Sequence, residues 1–253
     1  YFRDGDIISR LGGDEFLILL HNEPNDFLLY QIAERLVNGL SKPFEINSWQ
    51  VQVSVSVSVG IAKAYDANFN LSEFVCNADV AMYRSKMAGR DTHTIFVPEM
   101  MEEKKRKLLI ANSIFNAIKN DEFMLYYQPK VSPEEKIIGY EALLRWTSET
   151  LGKVSPAEFI PIAEDSDIIN RIGTEVLQHA CKQLAVWQQD PATANLVLSV
   201  NISARQFMQK NFVDTVLSSI QTHQCSGSRL RLEITESLML KNINELAIKI
   251  DKL

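Results

Sequence analysis

Residues 137–146 read IIGYEALLRW, and the place of Glu141 inside this apolar run decides how the chain is read. The run from Ile137 to Arg145 has the length and composition of a strand. A carboxylate in its middle is costly to bury without a partner. Two further apolar runs repeat the pattern. Residues 196–203, LVLSVNIS, carry Asn201, and residues 230–237, LRLEITES, carry Glu233. Taken singly, each acid has a plain explanation as the partner of a nearby arginine, Arg145 or Arg231. Three polar residues within or near the C-terminal halves of three parallel strands point instead to one site, on the end of the sheet that carries the chemistry in βα barrels. Two carboxylates and an amide oxygen form a hard oxygen set. With no His or Cys among them, the set suits Mg²⁺ or Mn²⁺ better than zinc.

Working outward, strands are expected at Met124–Gln128, Ile137–Arg145, Leu196–Ile202 and Leu230–Thr235. Helical spacing is expected at Leu108–Ile118, Pro156–Glu164, Ile168–Gln188, Phe207–Thr222 and from Ile243. This alternation predicts a largely parallel sheet with helices outside, equivalent to about half of a (β/α)₈ barrel. Before it, residues 98–107 (PEMMEEKKRK) bring a proline and a charge run. A boundary is expected there, with a first domain over 1–97, a linker over 98–107 and a second domain over 108–253.

The first domain has a different pattern. Ile7–Leu11 and Phe16–Leu20 flank a polar turn, and helical spacing covers Phe27–Leu40 and Leu71–Met87. Residues 51–60, VQVSVSVSVG, alternate strictly and predict one strand over Val51–Val59. The expected class is an α+β sheet with helices on one face. At the turn, 10–16 (RLGGDEF) place two glycines and two acids between strands. Two readings stand: a hairpin with a polar tip, or a site for a phosphate-bearing ligand and its metal.

Composition sets outer limits. The chain has 253 residues, 46% hydrophobic and 23% charged, so it has material for a core in each domain. A net charge of −6 argues against a binder of nucleic acid polymers. Cys76, Cys181 and Cys225 are scattered and suit a reducing compartment. No apolar stretch approaches the roughly 20 residues that span a bilayer, and the start shows no signal-peptide pattern. A cytoplasmic location is expected.

RLGGDEF resembles the signature of GGDEF domains, the diguanylate cyclase family. YEALLRW, with YYQPKV (126–131), FIPIAE (159–164), VNISARQF (200–207) and EITES (233–237), resembles EAL domains, the cyclic di-GMP phosphodiesterase family. The order is that of tandem GGDEF–EAL proteins, and the resemblance covers nearly the whole chain. It implies a cyclase-palm-like α+β domain followed by a TIM-barrel-like (β/α) domain. It further implies metal-dependent hydrolysis of cyclic di-GMP to pGpG, with the first domain regulatory or a cyclase. The alternatives are a diguanylate cyclase with a degenerate EAL domain and a non-enzymatic cyclic di-GMP receptor.

The resemblance also assigns residues. Glu141, Asn201 and Glu233 would ligate Mg²⁺ or Mn²⁺. Gln128 and Arg145 would face substrate, and Glu236 would position a loop near the metal. In the first domain, Gly12 and Gly13 would let backbone approach GTP, and Asp14 and Glu15 would serve metal binding and catalysis. Lys86 and Arg90, within 78–91 (ADVAMYRSKMAGRD), would contact phosphate from one helix face. Arg3 and Asp6, in RDGD at 3–6, would form a product-binding inhibitory site with Arg35 as an accessory. Cyclase chemistry by two such half-sites implies a homodimer. The family's first strand and its metal-binding Asp are expected upstream of this stretch. Its Asp-Asp-Phe-Gly segment, lysine and last glutamate are expected downstream, so the chain reads as a window from a longer one.

Overall fold

The computed structural model describes residues 2–21, 25–46, 51–234 and 243–253. The chain divides into two compact units, residues 1–106 and 107–253. No helix among the described residues is long and apolar enough to cross a membrane.

In the first unit, β1 (Ile7–Gly12) and β2 (Glu15–Leu19) form an antiparallel hairpin. Helix α1 (Asp26–Leu40) follows, capped by Asn25, whose Oδ1 accepts from the Leu28 amide at 2.9 Å. The alternating stretch does not make one strand. Its start, β4 (Val51–Val53), pairs antiparallel with β3 (Phe44–Ile46). Residues 54–57 belong to no ladder. Its end, β5 (Ser58–Ile61), pairs parallel with β6 (Thr92–Ile95). The period of two reports an extended backbone, and the change of partner is what breaks the strand. Among the described residues this unit therefore holds three two-stranded ladders, and Val51–Val59 is not one strand.

Helix α2 (Leu71–Met87) lies directly on β5. A Cβ on Gly60 would fall 2.1 Å from the Ala78 carbonyl oxygen, so only glycine permits the approach. Ser85 secures the contact by donating to the Val59 carbonyl at 2.9 Å. Val80, Ala81, Phe96 and Met100 form a small core.

Residues 98–107, expected as a linker, form the first half of one helix, α3 (Pro98–Lys119). In the second unit the strand order is β11–β10–β8–β7, with β9 beside β8. The ranges are Phe123–Val131 for β7, Ile137–Ser148 for β8, Gly152–Val154 for β9, Val197–Ile202 for β10 and Leu230–Ile234 for β11. β8, β10 and β11 are parallel. They are joined through α4 (Pro156–Glu164), α5 (Ile168–Trp187), α6 (Ala204–Phe207) and α7 (Phe212–His223), with α8 (Ile243–Ile250) after them. The sheet is not as parallel as expected, because β7 runs antiparallel to β8. Only residues 132–136 connect the two, too few for a crossover. One sheet face packs on the helices around Trp146, Phe159, Leu177, Leu184, Leu198 and Val200, all essentially fully buried.

Candidate functional site

The strand register of the second unit assembles the site. Asn201 is paired with Glu233 across β10 and β11, and Ser199 with Glu141 across β10 and β8. On β7, Gln128 is opposite Glu141, and Lys130 is opposite Gly139. Alternate residues share a face. Gln128, Lys130, Glu141, Arg145, Ser199, Asn201 and Glu233 therefore fall on one face of the sheet. The opposite face carries Ala142, Leu198, Val200 and Ile202 into the core. The two carboxylates are held at the polar face because their strand neighbours are anchored on the apolar one.

Contacts between these side chains are direct. Asn201 Nδ2 donates to Glu141 Oε1 at 2.7 Å, which leaves Asn201 Oδ1 as the amide atom available to a cation. Lys130 Nζ donates to Ser199 Oγ at 3.0 Å, forms a hydrogen-bonded ion pair with Glu233, and lies 3.9 Å from Glu141 Oε2. The hydrogen bond from Lys130 holds the Glu233 carboxyl below its usual range. The Ser199 hydroxyl and the Arg231 charge pull the same way, against desolvation. The side chains of Lys130, Glu141 and Glu233 are 33%, 26% and 32% exposed, so the group is open to a ligand. Neither arginine named from the sequence is the ion-pair partner. Arg145 donates to its neighbour's carbonyl at Leu144, 2.9 Å away, and stands 5.6 Å from the centre of the Tyr126 ring. Arg231 acts on Glu233 only through its charge.

This donor set fits a divalent cation. Two carboxylates and an amide oxygen come from three adjacent strands, and a positive charge already sits between the acids. Glu236 lies outside the described residues.

In the first unit, Gly12 pairs with Glu15, and Gly13 takes a φ of +54° at the tip of the hairpin. Arg10 holds the tip, its Nε and Nη2 donating to the Gly13 carbonyl at 3.0 and 2.7 Å. A Cβ built on Gly12 or Gly13 meets nothing within 4 Å, so open space borders the backbone there. Asp14 and Glu15 are exposed. Lys86 and Arg90 do not share a helix face. Lys86 is in the last turn of α2, whereas Arg90 lies past its end with φ +65°, because the chain turns at Gly89 (φ +109°). Asp6 is bound mainly to backbone: the Arg3 amide donates to Oδ2 at 2.8 Å and the His21 amide to Oδ1 at 3.0 Å. These bonds hold its carboxyl below the usual range. No hydrogen bond or ion pair among the described residues joins Arg35 to Arg3 or Asp6; Arg35 is exposed on α1.

Sequence reasoning gave no role to Lys130 or Ser199. The available signal was spacing: each stands two residues from a named site residue, Gln128 or Asn201, and so shares its face.

A polar cluster on one face of a βα unit, with Asn201 and Glu233 near the ends of their strands and Glu141 fifth of the twelve residues of β8, is preceded by a separate unit with a GGDE hairpin. The chain belongs to the EAL domain family over residues 111–253, and residues 1–92 match the diguanylate cyclase GGDEF domain. Over 253 residues it is 36% identical to the bifunctional diguanylate cyclase/cyclic di-GMP phosphodiesterase MucR of Pseudomonas aeruginosa, covering 99% of this chain and 36% of that protein. It is 33% identical to the cyclic di-GMP phosphodiesterase PdeR of Escherichia coli, over 96% of this chain and 36% of the relative. The chain thus spans about a third of the length of these curated relatives. Among solved structures, the P. aeruginosa MucR phosphodiesterase in complex with c-di-GMP matches at a TM-score of 0.54 and 34% identity, over 57% of this chain and 58% of that one. A Vibrio cholerae LapD fragment with S helix, GGDEF and EAL domains matches over 100% of this chain and 57% of that one. Its TM-score is 0.57 and its identity 16%, a likeness of fold.

Proposed function

We propose that the second unit hydrolyses cyclic di-GMP, opening one phosphodiester bond to give linear pGpG, at the cluster of Glu141, Asn201 and Glu233. The observation that carries this reading is the meeting of two carboxylates and an amide on the polar face of parallel strands, with a cation between the acids. Glu141, Glu233 and Asn201 Oδ1 would hold Mg²⁺ or Mn²⁺. When bound, such an ion supplies Lewis-acid neutralisation of a phosphodiester and lowers the pKa of water. Arg145 offers a planar guanidinium suited to phosphate oxygens, and Gln128 an amide for orienting the substrate. Asn201 fixes the direction of the Glu141 carboxylate by donating to one of its oxygens. Glu236, at the end of the same motif, would position a loop beside the cluster.

Glu141→Ala tests the proposal. Incubated with cyclic di-GMP and Mn²⁺, the protein containing this chain should form pGpG, as read by chromatography, and the variant should lose the activity by more than about a hundredfold. Loss of even an outer partner of a metal ligand costs up to about that much. Glu141 is partly exposed at a polar face, so truncation opens no core cavity and stability should change by less than about 1 kcal/mol. Tight binding of cyclic di-GMP without pGpG would make the protein a receptor instead.

A second activity is favoured by the open, glycine-lined hairpin. Gly12 and Gly13 would admit GTP close to the backbone, with Asp14 and Glu15 serving its metal and Lys86 and Arg90 its phosphates. Joining two GTP then needs two copies of the chain. Arg3, Asp6 and Arg35 would bind product and restrain that reaction.

A further inference from the structure

Lys130, with its partner Ser199, is left unused by the proposed hydrolysis. It belongs to β7, yet its ammonium reaches Ser199 on β10 and Glu233 on β11. The path is open because its paired residue on β8 is Gly139, which brings no side chain onto the face that Lys130 crosses. Among the described residues, Lys130 thereby ties the outermost strand of the sheet on one side to the outermost strand on the other. Two carboxylates converging without a cation repel each other. The Lys130 charge is 3.9 Å from Glu141 and is hydrogen-bonded to Glu233, so it takes the position a cation between the acids requires.

We propose that Lys130 is an internal cation that bridges Glu141 and Glu233 in the metal-free protein and is displaced when a divalent ion binds, so that it sets a lower metal affinity than the acids alone would give. This rests on the reading of Glu141, Asn201 and Glu233 as metal ligands. One ammonium and one divalent ion cannot both sit between the same carboxylate oxygens. The lysine can leave: its charge is compact, its stem is flexible and its side chain is already one-third exposed. Ser199 supplies a neutral hydrogen-bond partner beside the path.

The experiment is a direct titration of the protein containing this chain with Mn²⁺, without substrate, by calorimetry. Circular dichroism checks that each variant is folded. Lys130→Met should bind Mn²⁺ roughly tenfold more tightly than the parent, because a charge-assisted hydrogen bond no longer has to be broken. Lys130→Gln, which keeps a donor near Ser199 and guards against a misfolded Met variant, should shift in the same direction. Glu141→Gln should remove most of the binding. Unchanged or weaker Mn²⁺ affinity in both lysine variants, with Glu141→Gln still losing it, overturns the proposal and leaves the metal site standing. A purely structural bridge would give that result. Parent-like binding by Glu141→Gln overturns the metal reading itself, and the role of Lys130 with it.

Discussion

Glu233 shows how a single side chain is tuned by its surroundings. Its carboxyl is held below the ordinary glutamate value of 4.5, first by the hydrogen bond from Lys130. The sign of the consequence follows from linkage: an acid with a lowered pKa in the folded state binds its proton less readily than in the unfolded chain. Its stabilising contribution is present above the unfolded value and is lost as pH falls through the lowered folded value. In chelator-treated protein, Glu233→Gln should therefore flatten the fall in melting temperature below about pH 4.5, where the glutamate normally titrates. A variant curve parallel to the parent's through that range would contradict the assignment. At the same scale, Cys181 is a fully buried thiol. Burial, reinforced by contact with Cys225, pushes its pKa up to about 12, which suits a packing role in α5.

Among elements, the close pairing of β8 with β10 decides whether Glu141 and Asn201 meet. Gly139 stands opposite Val197, and an added Cβ would fall 2.3 Å from the Val197 carbonyl oxygen. The obstacle is backbone, so it cannot be relieved by a rotamer change. Gly139→Ala should force the two strands apart, at a cost of about 1–3 kcal/mol, the range for overpacked sites. It should also lower Mn²⁺ affinity, because Asn201 would lose its 2.7 Å bond to Glu141. Chemical denaturation and metal titration measure the two effects separately. A stable variant with unchanged metal binding would show that the spacing of these strands does not hold the site.

At the scale of the molecule, the two units have separate cores, one around Val80, Ala81, Phe96 and Met100 and the other around Trp146, Phe159 and their neighbours. Each carries its own acidic group, Asp14 with Glu15 on a hairpin and Glu141 with Glu233 on a sheet. The two chemistries should therefore separate by mutation. Asp14→Ala should abolish any conversion of GTP to cyclic di-GMP and leave pGpG formation within about twofold of the parent, since an exposed substitution in one unit leaves the separate core of the other intact. Loss of hydrolysis in Asp14→Ala would show that the first unit controls the second through its hairpin.

Local alternation and motif spacing determined much of this in advance. The β8, β10 and β11 runs, the helices from Pro156 and Ile168, and the polar positions 141, 201 and 233 were legible because each depends on residues near in sequence. Their meeting on one face was legible too, since a polar residue in an apolar parallel strand has few places to go. Tertiary structure alone decided what depends on distant partners. The stretch 51–61 divides between two ladders, its start pairing with β3 and its end with β6, which no periodicity records. The arginines that offered a plain explanation for each acid are not the ion-pair partners; Lys130, 103 positions from Glu233 in sequence, is. That contact exists because strand register and an unobstructed Gly139 bring the two together, and neither register nor clearance is written in any one segment of the chain.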